Sequence, residues 1–169
     1  MNINEKDLKQ EITNFRLLYP KAIQIRSLIK EDIASCIELC KLNSVIEGWG
    51  EDTVDSLVFE LNAAFENGVF CRPNYLVAIM DNKIVGFAGY GRLGFDDGAY
   101  GLFWVQVHPF YQKKGVGTEL TKTRLEKIKN EGGEIVIAKT RKIWHLTRFG
   151  FEKIIDRGGG YQLMQLSLM

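Results

Sequence analysis

The chain has 169 residues, 46% hydrophobic and 25% charged, enough apolar material to bury one sizeable core without a second domain. Its 22 basic and 21 acidic side chains leave a net charge of +1, which excludes a global field for nucleic acid or an anionic membrane, so any anion site has to be local. The segment Met1 to Asp7 lacks the basic start and apolar run of a signal peptide, and no stretch is long enough to span a bilayer, so the expectation is a cytoplasmic protein.

In chain order, Leu8, Ile12 and Phe15 share one helical face before Tyr19-Pro20 breaks the run. Residues 1–20 therefore read as an added amphipathic helix and 21–169 as the domain proper. That helix either covers the domain's own sheet or forms a homodimer, and the sequence leaves the choice open. Ala22 to Arg26 alternates like a strand, and Lys30-Glu31-Asp32 opens a helix through Ile33, Ile37 and Cys40. Cys36 and Cys40, four residues apart on that helix, read as small buried hydrophobes; three cysteines cannot all pair, and no histidine completes a metal set. Cys71, beside Arg72-Pro73, reads as a loop thiol. Val54, Leu57, Val58, Leu61 and Phe65 set a second helix over Thr53 to Glu66, stopped by Asn67-Gly68.

Tyr75 to Met80 and Ile84 to Gly91 flank the turn Asp81-Asn82-Lys83 as a hairpin. Ala99 to Val107 is the next strand, Val116 to Asn130 a helix stopped by Gly132-Gly133, and Glu134 to Lys139 another strand. Ile143 to Phe149 suits a short helix ended by Gly150, and Gly160 to Leu168 a final strand. The expected class is α/β (α+β): a twisted mixed sheet with helices on both faces and the extra N-terminal helix.

Between the strand ending at Val107 and the helix starting near Thr118 stands Gln112-Lys113-Lys114-Gly115-Val116-Gly117-Thr118. The first amides of a helix lack intrahelical partners and sit at the positive end of its dipole, so a glycine-bearing strand-to-helix turn can gather N–H groups around an anion. Lys113 and Lys114 add cations at the same place, and the turn reads as a pyrophosphate cradle. A nucleotide-hydrolysing P-loop would need a lysine directly after Gly117, where Thr118 stands; a dinucleotide fingerprint would need a third glycine where Leu120 stands.

The run Val105-Gln106-Val107-His108-Pro109-Phe110-Tyr111-Gln112-Lys113-Lys114-Gly115-Val116-Gly117 resembles the acyl-CoA-binding motif of the GNAT superfamily of N-acetyltransferases: Val-x-Pro, then Gln or Arg, two variable residues, Gly, one variable residue, and Gly or Ala. Arg148-Phe149-Gly150-Phe151-Glu152 resembles the family's later Lys-Leu-Gly-Phe signature, and the likeness covers roughly residues 22 to 169. It implies a GNAT-like fold and an acyltransferase that moves an acetyl group from acetyl-CoA, its co-substrate, directly to an amine, with no cysteine intermediate and no metal. It also implies that the pantetheine arm pairs with the strand at Val105 and Val107, that the main-chain N–H of Val107 stabilises the oxyanion, and that Gln112, Lys113, Lys114, Gly115, Val116, Gly117 and Thr118 hold the pyrophosphate.

The attacking amine has to lose a proton. Glu47, Glu51, Asp52 and Asp55 occupy the segment that borders the acceptor site in this family, although Asp52 and Asp55 also suit a helix N-terminus. Asp96 and Asp97, in the loop before the central strand, form a second group that also suits a turn. Glu47 and Asp97 stand for the two groups as candidate bases. Many family members carry a tyrosine four residues before the glycine of the Gly-Phe motif to protonate the leaving sulfur; here that position is Leu146, with His145 beside it pointing about 100° away. Tyr90, Tyr100, Tyr111 and Tyr161 are substitutes only if folding brings one to the sulfur. Lys139-Thr140-Arg141-Lys142 either is a solvated cluster or faces the 3′-phosphate of CoA. Trp49, between Gly48 and Gly50, either anchors a loop or caps an acceptor pocket. The acceptor expectation is a small-molecule amine. The alternatives are a non-catalytic acyl-CoA sensor and an interaction protein that kept the fold.

Overall fold

The computed structural model describes residues 22–48 and 50–169; the expected helix at 1–20 and the residue Trp49 lie outside the described residues. Strand β1 (Gln24–Ser27) is followed by a 3-10 turn, helix α1 (Ile33–Glu47) and helix α2 (Glu51–Ala63). Then come β2 (Asn74–Met80), β3 (Lys83–Arg92), β4 (Ala99–Val107), α3 (Val116–Asn130), β5 (Ile135–Thr140), a short α4 (Ile143–Thr147), β6 (Glu152–Gly158) and β7 (Tyr161–Ser167). Among the described residues, no helix is long and apolar enough to cross a membrane.

The strands form one sheet in the order β1-β2-β3-β4-β5-β7-β6. Neighbours are antiparallel except β4 and β5, which are parallel and joined through α3, since a parallel pair needs a crossover. The run Tyr75-Leu76-Val77-Ala78 is apolar without alternation because β2 is buried on both faces. Tyr75, Val77 and Phe87 pack against Cys36, Leu39 and Cys40 of α1 and Leu57 and Leu61 of α2. Leu76, Ala78 and Ala88 pack on the other face against Val116, Leu120 and Ile128 of α3 and Leu146 of α4. Gly86 sets how close α3 comes: a Cβ there would lie 2.8 Å from the Gln106 carbonyl oxygen and 3.0 Å from Val116 Cγ1.

Two expectations are corrected. The second helix ends at Ala63 rather than Glu66; Phe65, 37% exposed, contributes little to the apolar face that would have extended it. The stretch after Phe151 holds a hairpin, β6 and β7, where one strand was expected. Every residue of β6 is exposed, because it is the sheet's edge and needs no apolar alternation to bury a face. Cys36 and Cys40 are wholly buried, and burial pushes the Cys36 thiol up to about 12, which makes it an inert core residue at neutral pH.

Candidate active site

The site begins where β4 leaves its neighbours. Pairing with β5 runs from Ala99↔Ile135 to Leu102↔Ala138 and stops, although β4 continues to Val107 and β5 to Thr140. On its other side, β4 pairs Phe103 with Gly89 and Gln106 with Phe87, so three steps on β4 oppose two on β3. That extra residue is a β-bulge, and its backbone signature is Trp104 at φ 52°, a conformation costing roughly 1–2 kcal/mol for a bulky L-residue. The bulge turns β4 away from β5 and opens a V between them.

Val107 lies within the V. It stands opposite Gly86, while the next amide, His108 N–H, donates to the Val85 carbonyl at 2.8 Å. Antiparallel ladders alternate, so the N–H and C=O of Val107 point away from β3 and toward the β5 side. Its carbonyl accepts from Gln112 Nε2 at 3.3 Å and from Asn43 Nδ2 at 3.4 Å, and Asn43 also donates to the buried Gln106 Oε1 at 2.7 Å. Val105, 42% exposed, is at the bulge.

Beyond Val107, Pro109–Tyr111 forms a 3-10 turn that delivers the chain to α3. Lys113 (φ 59°) and Gly115 (φ 88°) are both left-handed, and the first bond of α3 is Glu119 N–H to the Gly115 carbonyl. The amides of Val116, Gly117 and Thr118 are thus left without intrahelical acceptors at the positive end of a 15-residue helix, an arrangement that can hold an anion. Lys114 Nζ lies 5.2 Å from the centre of the Tyr111 ring. A Cβ on Gly117 would sit 3.9 Å from Val107 Cγ2, so the cradle and the V are one continuous site.

A sequence model of the Acetyltransferase (GNAT) family matches residues 36–151, about two thirds of the chain, spanning the bulge, the V and the cradle. The chain belongs to the GNAT acetyltransferase family. Similar folds include a GNAT-family protein of Desulfovibrio desulfuricans, with TM-score 0.74 and 21% identity over 88% of this chain and 100% of that one. A GNAT acetyltransferase of Brucella melitensis in complex with acetyl-CoA gives 0.68 and 22% over 88% and 90%. PaiA N-acetyltransferase of Thermoplasma acidophilum in complex with coenzyme A gives 0.67 and 19% over 86% and 99%. No curated protein matches the sequence significantly.

Other expected residues of this acetyltransferase divide by position. Glu47 ends α1, one helical turn after Asn43, and its Oε1 lies 3.9 Å from Lys142 Nζ, between β5 and α4. That places a carboxylate across the mouth of the V. Asp97 is in the turn before β4, at the end of the strand remote from Val107, roughly 30 Å away at about 3.3 Å per residue. The geometry does not bring Asp97 to the site; with Asp96, whose Oδ1 accepts from the Gly98 amide at 2.8 Å, it belongs to the turn. Tyr90 and Tyr100 both bond to Glu131 at the same remote end, and Leu146 is buried in the core. Tyr161 lies under Lys139 and Arg141, 4.7 and 4.3 Å from its ring centre, so the basic cluster is stacked or paired rather than simply solvated.

Three side chains at the bulge were not singled out by sequence. Glu60 of α2 accepts from Trp104 Nε1 at 2.6 Å and from Tyr75 Oη at 3.0 Å, both through Oε2. Arg124 of α3 is wholly buried and donates to Gly89 O at 3.0 Å, Phe103 O at 3.5 Å, Leu120 O at 3.3 Å and Thr121 Oγ1 at 3.0 Å. Thr121 Oγ1 in turn lies 3.0 Å from His145 Nε2. The Thr121 hydroxyl thus links the Arg124 guanidinium to the His145 ring, with the direction of its bond to Nε2 set by the imidazole tautomer. Burial, with help from the charges of Arg124 and Arg148, holds His145 below the usual imidazole range and hence neutral. Glu60 reads as an ordinary helix-surface charge; Arg124 had a signal, since Leu120, Arg124 and Ile128 recur at i, i+4 on the buried stripe of α3.

A separate concavity of about 520 Å³ lies between α1 and the β2–β3 turn. Its charged lining is partly self-paired through Arg26 and Asp32.

Proposed function

We propose that this acetyltransferase moves an acetyl group from acetyl-CoA to the primary amine of a small molecule.

 The step is direct attack in a ternary complex. The observation that carries this reading is the parting of β4 from β5 beyond Leu102↔Ala138, with the free amides of the cradle at the end of the same strand.

The residues present fit a CoA thioester. The unpaired edge of β4 at Val105 and Val107 offers backbone partners to an extended amide-bearing arm, as an added strand would. Gln112, Lys113, Lys114, Gly115, Val116, Gly117 and Thr118 receive the pyrophosphate, mainly through main-chain amides with the two lysines adding charge. The N–H of Val107, fixed by the ladder and aimed into the V, supports the negative charge that develops on the thioester oxygen. Glu47, at the mouth, takes the proton of the attacking ammonium, directly or through water, and Lys142 keeps that carboxylate oriented. Bound acetyl-CoA supplies the activated acetyl group and a leaving thiolate.

The burial of Leu146 favours one second reading, an acyl-CoA sensor without turnover. Calorimetric titration with acetyl-CoA and CoA, beside a Gly117→Trp variant that fills the cradle, tests the shared part. Binding to the wild type that is lost in a still-folded variant is expected, and absence of wild-type binding overturns the reading. CoA release in an amine screen then separates enzyme from sensor.

A further inference from the structure

Arg124 is a cation with no exposed surface, and among the described residues it has no carboxylate partner. Its donors go to neutral oxygens: three main-chain carbonyls and the Thr121 hydroxyl. Burying a charge on these terms is expensive, and burial holds the Arg124 guanidinium down to about 9, still cationic at neutral pH. The carbonyls of the bulge need a donor, but a neutral one would meet that demand without burying a charge.

The location suggests what the charge is for. The carbonyls of Gly89 and Phe103 form the last β3–β4 pair before the bulge, and Thr121 carries the network to His145, beside Gly117 and Val107. Arg124, Thr121 and His145 therefore run from the bulge to α4, along the α3 face of the V. When the amine attacks and the tetrahedral adduct collapses, the C–N bond has formed, the C–S bond breaks, and sulfur leaves with the electron pair. The amine's proton goes to Glu47 or water. With Leu146 in the core, no tyrosine at that position protonates the sulfur.

We propose that Arg124 is a fixed buried cation whose field stabilises the departing CoA thiolate, in place of an acid that would protonate it. This rests on the acetyl-CoA reading given above. Arg124 acts through its field and transfers no proton. Other charges around this network are Lys142 and Arg148, which flank α4 and act on His145, Glu47 of α1, which pairs with Lys142, and Glu60 of α2, which holds the Trp104 indole, while His145 faces α3 as the neutral imidazole. Glu131 lies at the remote end of α3 with Tyr90 and Tyr100.

The test compares CoA with desulfo-CoA by calorimetry from about pH 6 to about pH 9, a window spanning the ordinary thiol value of about 8.5. A bound thiol lowered by about one unit makes the CoA-to-desulfo-CoA affinity ratio rise about tenfold with pH, levelling off above the free-thiol value. The rise is expected in the wild type and in Arg124→Lys, and a flat ratio is expected in Arg124→Gln, which keeps a donor for the carbonyls without the charge. A flat ratio in the wild type, or an undiminished rise in Arg124→Gln, overturns the proposal. If the Arg124 variants do not fold, His145→Gln, Lys142→Gln and Arg148→Gln decide: a rise that survives all three supports Arg124, and one that vanishes in any of them overturns it. Failure of both ligands to bind would instead count against the acetyl-CoA reading itself.

Discussion

The two cradle glycines should respond to alanine with opposite signs. Gly115 has φ 88°, and a Cβ there would meet only Ile23 Cδ1, at 3.8 Å. The cost of Gly115→Ala is therefore one of backbone conformation, about 1–2 kcal/mol for an L-residue held left-handed. Gly117 is helical, and its Cβ would make ordinary contacts with His145 Cε1 at 3.8 Å and Val107 Cγ2 at 3.9 Å. Gly117→Ala should stabilise by about 0.5 kcal/mol, the low end of the glycine-to-alanine gain because the site is in the first turn. For a chain of this size each kcal/mol moves the midpoint by roughly 2–4 °C. Thermal unfolding should rise by about 1–2 °C for Gly117→Ala and fall by about 2–8 °C for Gly115→Ala. Added CoA should still raise the midpoint of Gly117→Ala, since the motif accepts alanine there, and should raise that of Gly115→Ala less, because the turn that aims the amides is disturbed. Shifts of the same sign in the two variants would refute the assignment of a left-handed turn followed directly by a helix.

Asp32, nearly buried, accepts from Arg26 Nη2 at 2.9 Å and from the Ile29 amide at 3.0 Å, and the Arg26 hydrogen bond holds its carboxyl below the usual range. A lowered folded value means that the stabilisation is complete above the unfolded value of about 3.9 and is lost as pH falls through the folded one. Asp32→Asn should therefore cost about 1.5 kcal/mol in urea unfolding near neutral pH, a figure kept low because Arg26 is partly exposed, and the difference from wild type should close in acid; a gap unchanged in acid would contradict the pairing. For catalysis, Glu47→Gln should lower kcat by about 10²-fold and Asp97→Asn should leave it within about twofold, measured as CoA release with a responsive amine. Equal losses would remove the geometric distinction between the mouth of the V and the far end of β4.

Local pattern announced the parts whose physics is local. The cradle was legible because a helix N-terminus needs glycine and free amides in sequence order, and the β2–β3 hairpin because Asp81-Asn82-Lys83 separates two apolar runs; Asp81 and Asn82 are indeed both left-handed. The bulge was not legible. Nothing in Phe103-Trp104-Val105 differs from a regular strand, because the extra residue exists only relative to the register of β3. Strand β6 was missed for a related reason: a fully exposed edge carries no burial pattern. Asp97 was proposed as a base because acidity is visible in sequence and distance along a strand from the reacting atoms is not.

The bulge also explains why two unlike charges lie so close to the reacting strand. Trp104 is held left-handed at a cost, and such a conformation persists only where its surroundings over-determine it. From the α2 side, Glu60 holds the Trp104 indole; from the α3 side, Arg124 holds the Phe103 and Gly89 carbonyls. The grip on the backbone comes from a cation and the grip on the side chain from an anion, because carbonyls need a donor and the indole needs an acceptor. The same hydrogen-bonding demand therefore places a positive charge on the α3 face and a negative charge on the face where the amine acceptor is proposed to enter. On the acetyl-transfer reading proposed above, the distorted strand thus acquires, from the groups that keep it distorted, a field that would favour an arriving amine and a departing thiolate.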